Sequence, residues 1–189
     1  MALKLFLFGI DSAGKTTIFN YLKYGTPQKT LPTLAFNIAA LKLTDFDLRI
    51  WDAPGQKKLR NYWHRGYSQA QFMMFVLDVS DSERQPEALE EFENVINVSD
   101  PKKMPIIFCY NKIDLMSSPA QLESAKKLFE KVLSEITYVY PIETSAYKDD
   151  TMHQLKDTII KVVKERDLKD LPKESDQEND KETDKESDK

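Results

Sequence analysis

Apolar residues in this chain alternate between two spacings, and each change of spacing marks an element. Leu3, Leu5, Phe6, Leu7 and Phe8 make a dense run of strand length, after which Ile18, Phe19 and Leu22 recur at helical spacing over Thr16–Tyr24. Phe36, Ile38 and Ala40 alternate with polar neighbours, and Phe46, Leu48 and Ile50 do so again after a turn near Thr44-Asp45, which predicts an antiparallel hairpin. Continuous runs at Phe72–Leu77, Pro105–Tyr110 and Tyr138–Ile142 read as strands covered on both faces. Between them come three helical stripes: Leu89, Phe92, Ile96; then Leu122, Ala125, Leu128, Phe129, Val132; then Leu155, Ile159, Ile160, Val163. Their spacing fits core-facing helix surfaces.

Strand and helix in alternation imply an α/β fold, here a mostly parallel six-stranded sheet with one antiparallel strand and helices on both faces. In such a sheet ligands sit at the C-terminal ends of the strands, so the loops after the apolar runs are the places to look for chemistry.

Charge separates the chain into body and tail. Lys173 to Lys189 carries eight acidic residues and four lysines, a net of −4, which equals the net charge of the whole 189-residue chain and leaves the body near neutral. A body without a positive field gains little from counterion release, which argues against a nucleic-acid partner. The tail repeats Lys-Glu-Ser/Thr-Asp with no apolar side chain, so burial cannot offset its ordering entropy. The expected division is a folded domain over 1–168 and a disordered, net acidic tail over 169–189. Cys109 is the single cysteine, inside an apolar strand, and reads as a small core residue in a reducing compartment. His64 and His153, the latter at the start of a helix, have no partner at metal-ligand spacing and read as surface residues. No run has the length of a membrane span, position 2 is Ala and not Gly, and the last four residues hold no prenylatable cysteine. The expectation is a cytoplasmic monomer with no direct lipid anchor, recruited to membranes only indirectly if at all.

Five loops carry the candidate chemistry. Gly9-Ile-Asp11-Ser12-Ala13-Gly14-Lys15-Thr16 fits the phosphate-binding P-loop, in which backbone N–H groups wrap a β-phosphate and the lysine neutralises β and γ oxygens. It lies between a predicted strand and a predicted helix, as that motif requires. The hydroxyl of Thr16 follows the lysine where a Mg²⁺ ligand belongs, and Asp52, at the end of a strand, can hold the same ion through water. Thr33 sits in the polar loop Gly25–Leu34, where a second hydroxyl would close on the metal when a γ-phosphate is present. Gly55 permits close backbone approach to that phosphate. Gln56, four residues beyond Asp52, can orient an attacking water. Asn111-Lys112-Ile-Asp114 places a carboxylate to accept both guanine donors, a pair adenine lacks, with the Lys112 stem packed on the ring. The backbone N–H groups of Ser145 and Ala146, after the last strand, can meet the guanine O6.

Together these residues resemble the small GTPases of the Ras superfamily, and within them the Arf group, over roughly Leu3 to Asp167. The Arf-like segments are Gly9–Thr17, Pro32-Thr33-x-x-Phe36-Asn37, Trp51-Asp52-x-x-Gly55-Gln56 and the nearby Trp63. The resemblance implies a three-layer small G-domain that binds GTP or GDP with Mg²⁺, and a contact from Thr17 to the α-phosphate. It also implies switch segments over about Thr26 to Asn37 and Ala53 to Tyr67. Gln56 and Lys15 would be the catalytic groups, and the partners an exchange factor, an activating protein and effectors acting in intracellular trafficking or protein assembly. Four departures stand out. The first strand begins near Leu3, leaving no room before it for the amphipathic helix and acylated glycine of Arf proteins, so GTP loading should add little liposome binding. Pro54 replaces the first glycine of the usual Gly-Gly-Gln, Ala35 replaces a switch I glycine, and Gly66 stands where an Arf tyrosine would complete an aromatic triad with Phe36 and Trp51. Two alternatives are a GTP-locked scaffold, resembling the β subunit of the signal-recognition-particle receptor, and an ATP-dependent P-loop enzyme. Gln56 argues against the first and Asn111–Asp114 against the second.

Overall fold

The computed structural model describes residues 2–43, 45–99 and 104–166. Six strands, β1 (Ala2–Phe8), β2 (Asn37–Lys42), β3 (Asp47–Asp52), β4 (Phe72–Asp78), β5 (Ile106–Asn111) and β6 (Val139–Thr144), form one sheet in the order β2-β3-β1-β4-β5-β6. Only β2 and β3 run antiparallel, with Ile38 opposite Trp51 and Ala40 opposite Arg49; all other pairs are parallel. The hairpin closes through the Leu43 amide bonded to the Phe46 carbonyl at 3.0 Å.

The dense apolar run of β1 is resolved by its neighbours on both sides of the sheet. Leu5 and Leu7 face one layer, where they meet Ile18 and Leu22 of α1 (Lys15–Tyr24) and Met152, Leu155 and Ile159 of α5 (Asp149–Glu165). Phe6 and Phe8 face the other, against Phe92 of α3 (Gln85–Val98) and Phe129 of α4 (Ala120–Ser134). This second layer is an aromatic stack, with Phe75 and Phe92 centroids 4.7 Å apart and Phe108 and Phe129 5.0 Å apart. Such pairs add about 0.5–1.5 kcal/mol each beyond their burial. A central sheet covered on both faces fixes the strand ends, and with them the loops that build the site.

Three expectations are corrected. The run at Tyr138–Ile142 is not covered on both faces: β6 is an edge strand with half-exposed positions, and that edge tolerates Pro141, which cannot donate to a ladder. Leu128 is 37% exposed and stands outside the α4 stripe. Helix α5 begins at Asp149, so His153 lies one turn inside it; the two aspartates of that first turn suit the positive end of the helix. The turn residue Thr44 and the acidic tail 169–189 lie outside the described residues. Among the described residues no helix is long and apolar enough to cross a membrane, and burial raises the Cys109 thiol far above its ordinary range, consistent with an inert core residue.

Candidate functional site

At the C-terminal ends of β1, β3, β5 and β6 the loops enclose one cavity of about 470 Å³, within the range of ligand sites. Its walls bring together Asp11, Ser12, Gly14, Lys15, Thr16 and Thr17 from the first loop, Thr33 from the second, Gly55 and Gln56 after β3, and Asn111, Lys112, Asp114 and Ala146 after β5 and β6. Residues up to 135 positions apart in sequence thus share one chamber because parallel strands deliver their ends to the same edge of the sheet.

The first loop is shaped by close backbone approach. A Cβ on Gly9 would come within 2.5 Å of the Val76 carbonyl, and one on Gly14 within 2.4 Å of Asn111 Nδ2. Asn111 donates to the Ala13 carbonyl at 2.8 Å and accepts from the Thr144 hydroxyl at 3.1 Å, so it is buried as a brace between loops. Ala13 supplies that carbonyl from beneath the cavity wall. Lys15 is buried with its ammonium on the Ile10 carbonyl at 2.7 Å. Burial pulls its pKa down to about 8, against the opposing pull of Asp52 and Asp11. A buried ammonium with one neutral acceptor is a site for an anion.

A cluster of oxygens lies beside it. Thr16 donates to Asp52 Oδ2 at 2.8 Å and sits 2.9 Å from the Thr33 hydroxyl. Thr16 has one proton, already given to Asp52, so Thr33 is the donor of the second bond. Asn37 donates to the same Asp52 oxygen at 2.9 Å. Asp52 Oδ1 is buried without a partner, and burial raises the carboxyl's pKa, partly offset by the Asn37 and Thr16 hydrogen bonds and by Lys15. A buried, orphaned carboxylate oxygen beside two hydroxyls fits a hard divalent cation such as Mg²⁺, which takes oxygen donors and keeps some of its waters. The loop before β2 thus brings the Thr33 hydroxyl to the corner formed by Thr16 and Asp52.

After β3, a 3₁₀ helix over Lys57–Tyr62 leads into the single turn α2 (His64–Tyr67). Gln56 lines the cavity, and Gly55 packs so tightly on the first loop that a Cβ would lie 2.5 Å from the Asp11 amide. Trp63 is buried with its indole N–H on the Pro54 carbonyl at 2.8 Å. Two arginines that motif reading did not single out hold this region. Arg60 bonds the Gly55 carbonyl at 2.7 Å, Glu87 at 2.7 Å, Glu91 at 2.9 Å and Asp11 at 3.1 Å. Arg84 bonds Asp11 at 2.9 Å and Glu87 at 3.0 Å. Partial burial pushes the Asp11 carboxyl up, but the hydrogen bond and charge of Arg84, together with Arg60, outweigh it and leave it below the ordinary range. Two isolated arginines without a motif gave no sequence signal; their partners are visible only in three dimensions.

On the other side, Lys112 adopts a left-handed backbone (φ 66°) and pairs with Asp78 at 2.6 Å, which stretches its stem along the cavity wall. Asp114 lines the cavity with no hydrogen bond or ion pair to the described residues. Ser145 sits deeper than expected. Its amide is taken by the Thr151 hydroxyl at 3.0 Å and its own hydroxyl accepts from the Tyr147 amide, so it props the loop while Ala146 faces the cavity. At the position of the missing Arf tyrosine, a Cβ on Gly66 would lie 2.3 Å from the Phe6 ring; Phe6 fills that space and contacts Phe36, which packs on Trp51.

Comparison with known proteins agrees with this layout. The structure resembles the Arl6/BBS3 small GTPase of Trypanosoma brucei with a bound nucleotide analogue, GppNp, at a TM-score of 0.74 and 22% identity, covering 88% of this chain and 99% of that one. It also resembles the mammalian SRP receptor at a TM-score of 0.69 and 22% identity, covering 85% of this chain and 99% of that one. At these identities the likeness establishes the small G-domain fold. The model of the ADP-ribosylation factor (Arf) family matches residues 1–163. The chain therefore belongs to the ADP-ribosylation factor family.

Proposed function

We propose that this protein is a guanine-nucleotide switch that binds GTP and GDP with Mg²⁺ and hydrolyses bound GTP slowly, its two switch segments presenting different surfaces in the two states. The observation that carries the reading is the meeting of Thr33 with Thr16 and Asp52, since a loop hydroxyl on a P-loop hydroxyl ties switch I to the phosphate end of the cavity. Lys15 and the first-loop amides hold β and γ oxygens, and Asp114 reads the base edge. Mg²⁺, held by the Thr16 and Thr33 hydroxyls and through water by Asp52, would neutralise charge on the phosphate oxygens. Gln56 orients a water for in-line attack, and its carboxamide is too weak a base to do more. No arginine occurs between Gly25 and Phe36, so switch I has no built-in finger and an activating protein supplies one. We place the protein in the cytoplasm as a monomer, with exchange factor, activating protein and effectors meeting the switch segments in trafficking or protein assembly.

A second reading, a GTP-bound structural subunit with little turnover, is favoured by Pro54. Its φ is fixed, it has no N–H, and its buried carbonyl is held by Trp63, which stiffens the start of the segment a switch must move. Single-turnover hydrolysis decides between them. Preference for GTP over ATP, with hydrolysis near 10⁻⁴–10⁻³ s⁻¹ as in unassisted Ras that Gln56→Leu abolishes, supports the switch. Tight GTP binding with no turnover supports the scaffold, and equal binding of ATP and GTP overturns both.

A further inference from the structure

The end of the cavity beside Gln56 has a carboxylate in its wall. Asp11 lines the chamber, and a Cβ added at Gly55 would lie 2.5 Å from the Asp11 amide and 2.6 Å from the Lys15 ammonium, so Asp11 and the anion-binding lysine meet at one point. Burial raises the Asp11 carboxyl, yet the hydrogen bond and charge of Arg84, joined by Arg60, win and keep it ionised at neutral pH. A fixed negative charge repels an anion bound beside it unless a cation cancels it.

The two arginines share this task unequally. Arg84 Nη2 donates to Asp11 Oδ1 at 2.9 Å, while its Nη1 donates to Oδ2 at 3.2 Å and to the Asp11 carbonyl at 3.1 Å. Arg60 reaches Oδ1 alone, at 3.1 Å, and spends its other donors on Glu87, Glu91 and the Gly55 carbonyl. Among the described residues, Oδ2 therefore depends on Arg84. Arg84 stands just before α3, 73 positions from Asp11, and is not part of the cavity wall, so whatever it does for a ligand passes through Asp11. Two arginines against three carboxylates leave the cluster at a net charge of −1, and loss of Arg84 takes it to −2.

We propose that Arg84 is a positioning residue for nucleotide specificity: it cancels the Asp11 charge and holds that carboxylate aside, which lets the site admit a triphosphate and sets the ratio of GTP to GDP affinity. The proposal rests on reading the cavity as a guanine-nucleotide site with the γ-phosphate beside Lys15 and Gly55. GDP carries no γ-phosphate and feels the change much less, so the two ligands separate an electrostatic role from a structural one. Across a half-exposed site, one unit of charge changes affinity for another by about 5- to 30-fold.

The test is the affinity of GDP and of slowly hydrolysed GTPγS, by competition with labelled GDP in Mg²⁺ at one fixed salt concentration. The proteins are wild type, Arg84→Ala, Arg84→Lys, Asp11→Asn and the Asp11→Asn/Arg84→Ala double variant. Arg84→Ala should lower the GTPγS-to-GDP ratio by about 5- to 30-fold. The double variant has the wild-type net charge and should return the ratio to within about threefold of wild type, a coupling that independent sites would not show. Arg84→Lys keeps the charge and should keep most of the ratio, and Asp11→Asn alone should leave it level or raise it. Equal losses for both nucleotides in Arg84→Ala, no recovery in the double variant, a lysine that behaves as alanine, or a fall in Asp11→Asn each overturns the proposal and leaves the guanine site standing. The Asp11→Asn arm keeps both arginines, so it decides even where Arg84→Ala folds poorly. Wild type that binds ATP as tightly as GTP overturns the site itself.

Discussion

Arg60→Ala should weaken both the fold and the hydrolytic step, for reasons that can be separated. The side chain is 4% exposed and serves three carboxylates and one carbonyl. Removing one partner of a buried ion pair costs about 3–5 kcal/mol. Here the loss should be smaller, because Asp11 and Glu87 keep Arg84 and are 42% and 32% exposed. Glu91, 18% exposed, loses the cation it had. Roughly 2–3 kcal/mol is the expected cost once solvent screening of the exposed partners is allowed for. Against a domain stability of about 5–15 kcal/mol the protein still folds. With a urea slope of about 2 kcal/mol/M the midpoint should fall by about 1–1.5 M, measured at one fixed nucleotide concentration. The second effect is local. Arg60 and the Asp11 amide both hold the Gly55 carbonyl, at 2.7 and 3.0 Å, and Gln56 is the next residue. Loosening one of those bonds shifts the carboxamide, and misplacement on the order of 1 Å can cost about 100-fold. Single-turnover hydrolysis should drop about 10- to 100-fold, with Arg60→Lys recovering only part because an ammonium cannot reproduce the fork. A midpoint within about 0.3 M of wild type, together with hydrolysis within about twofold, would refute the assignment.

Gly66→Ala should destabilise despite a gain of about 1 kcal/mol in helix propensity, because overpacking against the buried Phe6 ring costs about 1–3 kcal/mol. A double-mutant cycle with Phe6→Leu checks this, the pair costing less than the sum of the singles; strict additivity would sink the steric account. For Asp11 and Glu87, burial raises each carboxyl but the arginine hydrogen bonds and charges win, so both folded-state values lie below the ordinary 3.8 and 4.5. A lowered carboxyl contributes stability that is present above its unfolded value and lost as pH falls through the folded one. Wild type should therefore lose stability more steeply below about pH 4.5 than Arg60→Ala, read from unfolding midpoints across that range; parallel acid limbs would exclude the network as the source.

The sheet and most of the chamber could be read from the chain because four of the five loops follow apolar runs of strand length, and the fifth, with Thr33, lies between a helical stripe and an alternating strand. What escaped has specific causes. A parallel strand in mid-sheet and a half-exposed edge strand can both be continuous apolar runs, so Tyr138–Ile142 gave no hint of its place at the border. Leu128 follows helical spacing but stands at the margin of the α4 face, where a few degrees of rotation decide burial. The Ser145 amide reads as a donor to the guanine O6 because it lies in the loop after the last strand; only the three-dimensional position of Thr151, six residues on, shows that amide already bonded to a hydroxyl. Arg60 and Arg84 lie 24 residues apart in polar stretches, and nothing local says that both reach Asp11. The role of Phe6 depended on the absence of a side chain at Gly66, a relation between β1 and α2 that no window along the sequence contains.

The left-handed backbone at Ser12 and Lys112 carries a further meaning. Outside glycine that conformation costs about 1–2 kcal/mol per residue, and both residues line the cavity. A chain shaped for durability alone would place glycine or asparagine there and relax. This one keeps a hydroxyl and a long cationic stem at the two points of greatest conformational tension. Robustness of the empty scaffold and grip on its ligand are thus opposed at these positions, and the fold sits on the side of grip.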